Sequence, residues 1–399
     1  MYLVVSLVTV ISFLMPTNLY AESHDLSKAP FLNLNTPKHP ISDIHSKKSG
    51  IQFECSAENN AKLLKEFNRL FEEYGWTAPD LVTTHLSNDG TQLTLTLNTA
   101  LSDTSTIDLS QRKEFKIKPD LDLFVDRTGT SQKYEVASQK EIIASLLQHG
   151  RLSEFKDSFC TFEKFIEHVR IRQNIVKWGV RAVWRFPEDG VTKINPKHWN
   201  DDWTIKHGTK SSDAIADAFT GDYNYEIGCT KACQKIMAQG ILDFFKNVKK
   251  DKKMSEYLDK ITAPSPLDTM EMKVDGPSKK FMTKEGTLVD RHFDVPFNNW
   301  IPGDWGWIKN TDDESAEDFG FEGCNIVYIG RGKFVVYYES DPDRTLDEAL
   351  VRVYQWRRDS KEQPATPSLV DLIRKDPREG GLLRDVRDFP KNFTLPTAK

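Results

Sequence analysis

Cys229 opens the run CTKACQKIMAQGILDFFKNV, and the residues after it repeat in helical register: Ala232, Cys233, Ile236, Met237, Gly240, Ile241, Phe244, Phe245 and Val248 share its face. The spacing predicts a helix whose first turn carries a thiol on the buried stripe. A thiol there meets unsatisfied backbone N–H groups and the positive end of the helix dipole, which favours thiolate by roughly 0.3–2 kcal/mol. The same N–H groups can hold the oxyanion formed when a thiolate attacks an acyl carbon. Three readings of Cys229 stand: a nucleophile, half of a disulfide, or a small apolar residue at the edge of a core. A bridge to Cys233 would have to form inside the helix, where the Cβ vectors suit it poorly.

The chain has five cysteines, Cys55, Cys160, Cys229, Cys233 and Cys324, an odd number that leaves at least one outside any intrachain bridge. Their redox state depends on where the chain works. The uncharged apolar run Leu3–Met15, followed by Pro16 and the small residue Ala21, predicts a secretory signal over residues 1–21 and a mature start near Glu22. The run is shorter than the roughly 20 residues a membrane-spanning helix needs, so no stable membrane anchor is expected. A secreted or periplasmic location permits disulfides, with Cys55 and Cys160 as the expected structural pair. With 54 basic against 59 acidic residues and no basic block, nothing in the charge favours a nucleic acid or an anionic membrane surface as partner. No CxxC or His-rich spacing suggests zinc.

Stepping along the chain, residues 22–50 are rich in Pro, Ser and Lys and read as a linker. Residues 51–155 read as a small α+β domain. Leu63, Leu64, Phe67, Leu70, Phe71 and Tyr74 keep helical spacing, Leu93, Leu95 and Leu97 alternate as in a strand, and Ile142, Ile143, Leu146 and Leu147 return to helix. In PDLDLFVD the alternation of Asp120, Asp122 and Asp126 with leucines predicts a wet strand face opposite a dry one, and the glycine and final Glu of a calcium loop are missing. The second half, residues 156–375, begins with a helix over 162–180 in which His168 reads as a core histidine. A helix after KSSD (210–213) precedes the Cys229 helix, and a polar flexible insertion follows over 249–285. Strands are predicted at 302–310, 323–330 and 333–339, the last two joined at Gly330, Arg331 and Gly332 and therefore antiparallel. A capping box of Thr345 with Glu348 starts a helix through Trp356, a short helix follows near Ser368, and residues 376–399 form a flexible tail. The fold class is α+β: a helix opening with Cys packed on an antiparallel sheet, the papain-like arrangement, behind a small α+β amino-terminal domain.

Six segments occur in an order that resembles the bacterial spore-type protein-glutamine γ-glutamyltransferases: RQNIV (172–176), SDAI (212–215), the Cys229 helix, GDWGWIKN (303–310), EGCNIVYIG (322–330) and PSLVDLIR (367–374). The resemblance runs over roughly residues 160–374 and leaves 51–155 uncovered. It implies that Cys229 is the nucleophile of an acyltransferase that needs no metal or organic cofactor. The partners implied are a protein with an accessible glutamine and an amine, from lysine, as acceptor. The rest of the family's constellation is changed. Gly228 stands where a Glu precedes the Cys, Cys324 replaces the Glu of a G-E-N motif (Gly323, Cys324, Asn325), and Tyr337 occupies the place of the His. Either the chain is a catalytically dead binding protein on the same fold, or the base has moved. Glu339, on the same side of an alternating strand as Val335 and Tyr337, is the candidate replacement, and His292 and His207 lie near the matching region. A cysteine hydrolase or deamidase differs only in using water. The motif position of Cys324 puts it opposite Cys229, so oxidation could join the two; otherwise it is an apolar strand residue.

Overall fold

The computed structural model describes residues 49–388 apart from 77–79, 99–107, 127, 149–150, 188–189, 268–269, 271–287, 294–298, 313–315, 318–319, 336, 339–342, 356–365 and 375–382. The signal at 1–21, the linker up to residue 48, Glu339, Trp356 and the chain end beyond 388 lie outside the described residues. Strand β1 (Gly50–Glu54) leads to helix α1 (Ala57–Tyr74), whose first turn is capped by Ser56 Oγ accepting from the Asn59 N–H. Strands β2 (Val82–Leu86) and β3 (Gln92–Leu97) form a hairpin beside β1, and β6 (Leu152–Lys156) adds to β1 in parallel, giving the order β2-β3-β1-β6. A disulfide joins Cys55 to Cys160, tying the end of β1 to the segment before helix α3 (Phe162–Val180). Phe53, Phe67, Phe155 and Phe165 pack ring against ring beneath it, so α3 shares its core with this first sheet.

Between them, β4 (Asp120–Val125) and β5 (Ser131–Val136) make a two-stranded hairpin, followed by helix α2 (Gln139–Leu146). The hairpin reverses the expected polarity. Asp122 is buried, whereas Leu121, Leu123 and Val125 are 50%, 68% and 65% exposed. The reason is Arg181 at the end of α3: its Nε and Nη2 each donate to the Asp122 carboxylate at 2.7 Å, and its guanidinium lies over Phe124 and Trp178. A specific charge pair outweighs the general preference for leucine inside. Asp120 accepts from Gln173, and Asp126 accepts from Thr128, Thr130 and Gln132.

Helix α4 (Ser211–Thr220) precedes α5 (Cys229–Asp243), which widens into a π-type turn over Phe244–Val248. Val248 is 43% exposed, so the apolar stripe ends at Phe245. Helices α3 and α5 cross where Gly240 lets the backbones touch: a Cβ at Gly240 would lie 2.6 Å from Ile175 Cα. The supposed flexible insertion contains a helix, α6 (Lys252–Thr262), capped by Asp251 and burying Met254, Leu258 and Thr262. Its apolar residues keep the 3.6 period but are outnumbered by Lys, Asp and Glu, which concealed them.

The second sheet holds β7 (Asp290–Phe293), β8 (Trp305–Lys309), β9 (Gly323–Gly330), β10 (Lys333–Val335), β11 (Asp343–Thr345) and β12 (Leu383–Asp388), in the order β11-β10-β9-β8-β12-β7. Every pairing in it is antiparallel. Trp305, Val327, Ile329 and Val335 join the core that contains α3 and α5, while Ile308, Ile326, Tyr328 and Phe334 join a second core with α7 (Leu346–Tyr354) and Val370 of α8 (Pro367–Arg374). The capping box of Thr345 and Glu348 is present. Strand β10 ends at Val335, and Tyr337, expected to lie on it, instead gives its carbonyl to the Trp184 N–H at 2.7 Å.

Two of the motifs meet in a buried ion pair. Arg172 of RQNIV donates to Asp304 of GDWGW at 2.9 Å, Arg151 binds the same carboxylate, and the Ile301 N–H caps it at 2.9 Å. Arg172 Nε also donates to His168 Nε2 at 2.9 Å, which gives the core histidine its partner. These residues fix α3 against the loop into β8, and so set the distance between α5 and the sheet. The fold is α+β, with the Cys229 helix laid on an antiparallel sheet. Among the described residues no helix is long and apolar enough to cross a membrane.

Candidate active site

Cys229 is the first residue of α5 and is partly exposed. Gly228 precedes it in extended conformation with no side-chain cap, and a Cβ there would meet nothing within 4 Å. The helix start is therefore open where the resemblance would place a Glu.

The sheet supplies the polar surroundings. Asn325, the third residue of β9, donates from Nδ2 to Cys229 Sγ at 3.3 Å and to Thr230 Oγ1 at 3.0 Å. Its orientation is fixed from behind: Trp305 Nε1, on the neighbouring strand β8, donates to Asn325 Oδ1 at 2.8 Å. An indole N–H can only donate, so the amide oxygen must face Trp305 and the NH2 must face the sulfur. Cys324 alternates toward α7 and packs partly on the second core, yet its thiol hydrogen-bonds Cys229. The S–H has a second acceptor in reach, the Asn325 carbonyl at 3.3 Å. Once Cys229 is ionised, the charged sulfur is the stronger acceptor.

These donors set the charge. The Cys324 S–H, opposed by burial and helped by the backbone and side-chain N–H groups of Asn325 and the Thr230 N–H, pulls the Cys229 thiol down to about 6. Its hydrogen bond to Cys229, together with burial, pushes the Cys324 thiol well above its ordinary value. The two sulfurs hold one proton between them over a wide pH range, as coupled groups do. At neutral pH the pair is a thiolate beside a thiol.

Tyr337 does not stand in for an imidazole. It is buried, its hydroxyl contacts Cys233 Sγ at 2.9 Å and donates to the Asn325 carbonyl, and burial pushes its pKa well up. Its partner on α5 is thus the cysteine one turn beyond Cys229, and it holds β9 at Asn325. Tyr338 donates to the Ile227 carbonyl at 2.9 Å, fixing the entry to α5. Of the other candidates, Glu339 lies outside the described residues, His207 is exposed, and His292 belongs to β7, three strands from β9. Among the described residues no His, Asp or Glu hydrogen-bonds Cys229. Cys229 and Cys324 are both reduced. The sequence reading gives no role to Asn325, Trp305 or Thr230: Thr230 simply follows Cys229, whereas Asn325 and Trp305, inside the quoted EGCNIVYIG and GDWGWIKN, meet through the pairing of β8 with β9, in which Trp305 stands opposite Val327 and Trp307 opposite Asn325.

The profile of one family, protein-glutamine gamma-glutamyltransferase, matches residues 123–339, beginning inside β4 and so reaching into the region that the motifs left uncovered. Among solved structures, a transglutaminase from Geobacillus stearothermophilus (without C-terminal extension) is 16% identical and aligns over 58% of this chain and 95% of its own, with a TM-score of 0.39. No curated protein matches the sequence. Since the family profile spans more than half of the chain, the chain belongs to the protein-glutamine gamma-glutamyltransferase family.

Proposed function

We propose that the chain is an exported acyltransferase in which Cys229 attacks the side-chain carboxamide of a protein glutamine and passes the γ-glutamyl group to a lysine amine or to water. The observation that carries this reading is the thiolate–thiol pair at the start of α5: Cys229 held low by the Cys324 S–H and the Asn325 N–H groups. The thiolate adds to the carboxamide carbon, and the oxyanion is taken by N–H donors at the helix start. Cys324 gives its proton to the departing ammonia, leaving a thioester on Cys229. The incoming amine or water returns a proton to Cys324 as it displaces the sulfur. In this scheme a hydrogen-bonded thiol replaces the missing carboxylate and imidazole. The Cys55–Cys160 disulfide supports an oxidising compartment, consistent with export.

One observation favours the catalytically dead alternative. The His position is filled by a buried tyrosine committed to Cys233 and Asn325, and without a positioned imidazole acid–base catalysis loses about 10²–10⁴-fold. The two readings separate in one assay: incorporation of a fluorescent alkylamine into a glutamine-rich protein, with released ammonia counted alongside. The acyltransferase reading expects both products from the wild type and neither from Cys229→Ala, with ammonia alone marking deamidation. Absence of both products from folded wild type supports the binding-protein reading.

A further inference from the structure

Every cysteine outside the Cys55–Cys160 disulfide lies at one place. Cys229 and Cys324 are both partly exposed and both lie against Asn325, Cys229 Sγ 3.3 Å from its Nδ2 and Cys324 Sγ 3.3 Å from its carbonyl oxygen, while Cys233 is buried one turn further along α5 against the Tyr337 hydroxyl. Two accessible sulfurs gathered at one residue, one of them at a helix N-terminus, are the parts that thiol–disulfide exchange needs: an attacking sulfur and a resolving one. A Glu at position 324, as in the G-E-N pattern, could not resolve a mixed disulfide. We infer that Cys229 and Cys324 form a dithiol–disulfide exchange centre whose substrate is a small organic disulfide.

The reaction balances without a further oxidant. Cys229 thiolate attacks one sulfur of the substrate, forming a mixed disulfide and expelling one thiolate. Cys324 then attacks Cys229 Sγ, its proton passing to the second departing sulfur. The two cysteines lose two electrons and become a disulfide; the substrate gains them and becomes two thiols. Cys233 stays out of the exchange behind Tyr337. Resting on the function proposed above, the oxidised centre has no nucleophile, so acyl transfer stops until a thiol reopens the bridge. The exchange itself does not depend on that function.

The test uses the full chain and oxidised glutathione as probe at neutral pH, with non-reducing peptide mapping and titration of released glutathione. The wild type should yield a Cys229–Cys324 bridged peptide and two glutathiones per chain. Cys324→Ser should stop at a glutathione mixed disulfide on Cys229 with one glutathione released, and Cys229→Ser should react at least about tenfold more slowly. Retention of the Cys55–Cys160 peptide in each map confirms that the variants are folded. A wild type that accumulates the mixed disulfide as stably as Cys324→Ser, or that bridges Cys229 to Cys233 instead, would overturn the inference. Acyl transfer, measured on the same samples before oxidation, reports separately: its absence with exchange intact removes only the proposed function.

Discussion

Removing the Cys324 thiol should raise the Cys229 pKa, and the change is large enough to follow. A fall from an ordinary 9.0 to about 6 is a roughly thousandfold change in acidity, worth about 4 kcal/mol of preference for the thiolate at about 1.4 kcal/mol per tenfold step. The Cys324 S–H is the largest contributor and opposes a burial penalty that remains after it is gone. Cys324→Ala should therefore move the ionisation of Cys229 up by at least about one pH unit, and Cys324→Ser, which keeps an O–H donor, by less. A single rate at neutral pH would hide the shift: the thiolate fraction falls as pKa rises, but each thiolate becomes more nucleophilic, with a slope of about 0.4–0.5 in thiol–disulfide exchange. The readout must be the midpoint of the rate–pH profile, measured with iodoacetamide from about pH 4 to 10 and followed on the Cys229 peptide. Wild type should show a midpoint near 6, bringing Cys229 into reaction before the other cysteines. An unchanged midpoint in Cys324→Ala would refute the claim that the neighbouring thiol sets the charge.

Other consequences concern the scaffold. Burial, opposed by the Arg331 N–H, pushes the Glu141 carboxyl up to about 8. The native chain then keeps a proton that the unfolded chain has lost from about pH 4.5 upward, so stability is highest below that pH, declines as pH rises to about 8, and levels off above. Glu141→Gln keeps an acceptor for Arg331 and should remove up to about 5 kcal/mol of this decline, seen as denaturation midpoints that diverge from wild type with rising pH; parallel curves would contradict it. Asp304→Asn leaves Arg151 and Arg172 without their buried counter-ion and should cost about 3–5 kcal/mol by denaturant unfolding, a loss below about 1 kcal/mol counting against a structural role for the pair. Replacing Cys55 and Cys160 together by Ser opens a link across 105 positions of sequence and should cost about 2–5 kcal/mol, while the alkylation midpoint of Cys229 stays where it was.

How much of this was legible in the sequence depends on whether a feature is local. The Cys229 helix, the β9–β10 turn and the Thr345–Glu348 cap are written in short-range spacing and are present. Features settled by distant partners were misread. Asp122 is inside because Arg181, far along the chain, meets it. Tyr337, expected on β10, is held by the Trp184 N–H, over 150 positions earlier in the chain. Helical periodicity places Cys229 at the start of its helix, but not the groups that surround its sulfur. Asn325 gains its role from strand register and from an indole twenty residues away, and neither neighbour announces itself as a catalytic type. Motif position alone puts Tyr337 at the site, yet its hydroxyl meets Cys233, one turn down the helix from Cys229, and the Asn325 carbonyl.

The most direct test of the central claim is to look for the acyl-enzyme itself. Wild type mixed with a glutamine-containing peptide and no amine, then quenched in acid and mapped by mass spectrometry, should carry the peptide, less ammonia, as a thioester on Cys229, and the adduct should vanish when an alkylamine is added before the quench. An adduct on any other residue, or product formation with no adduct on Cys229 and undiminished in Cys229→Ala, would contradict the account.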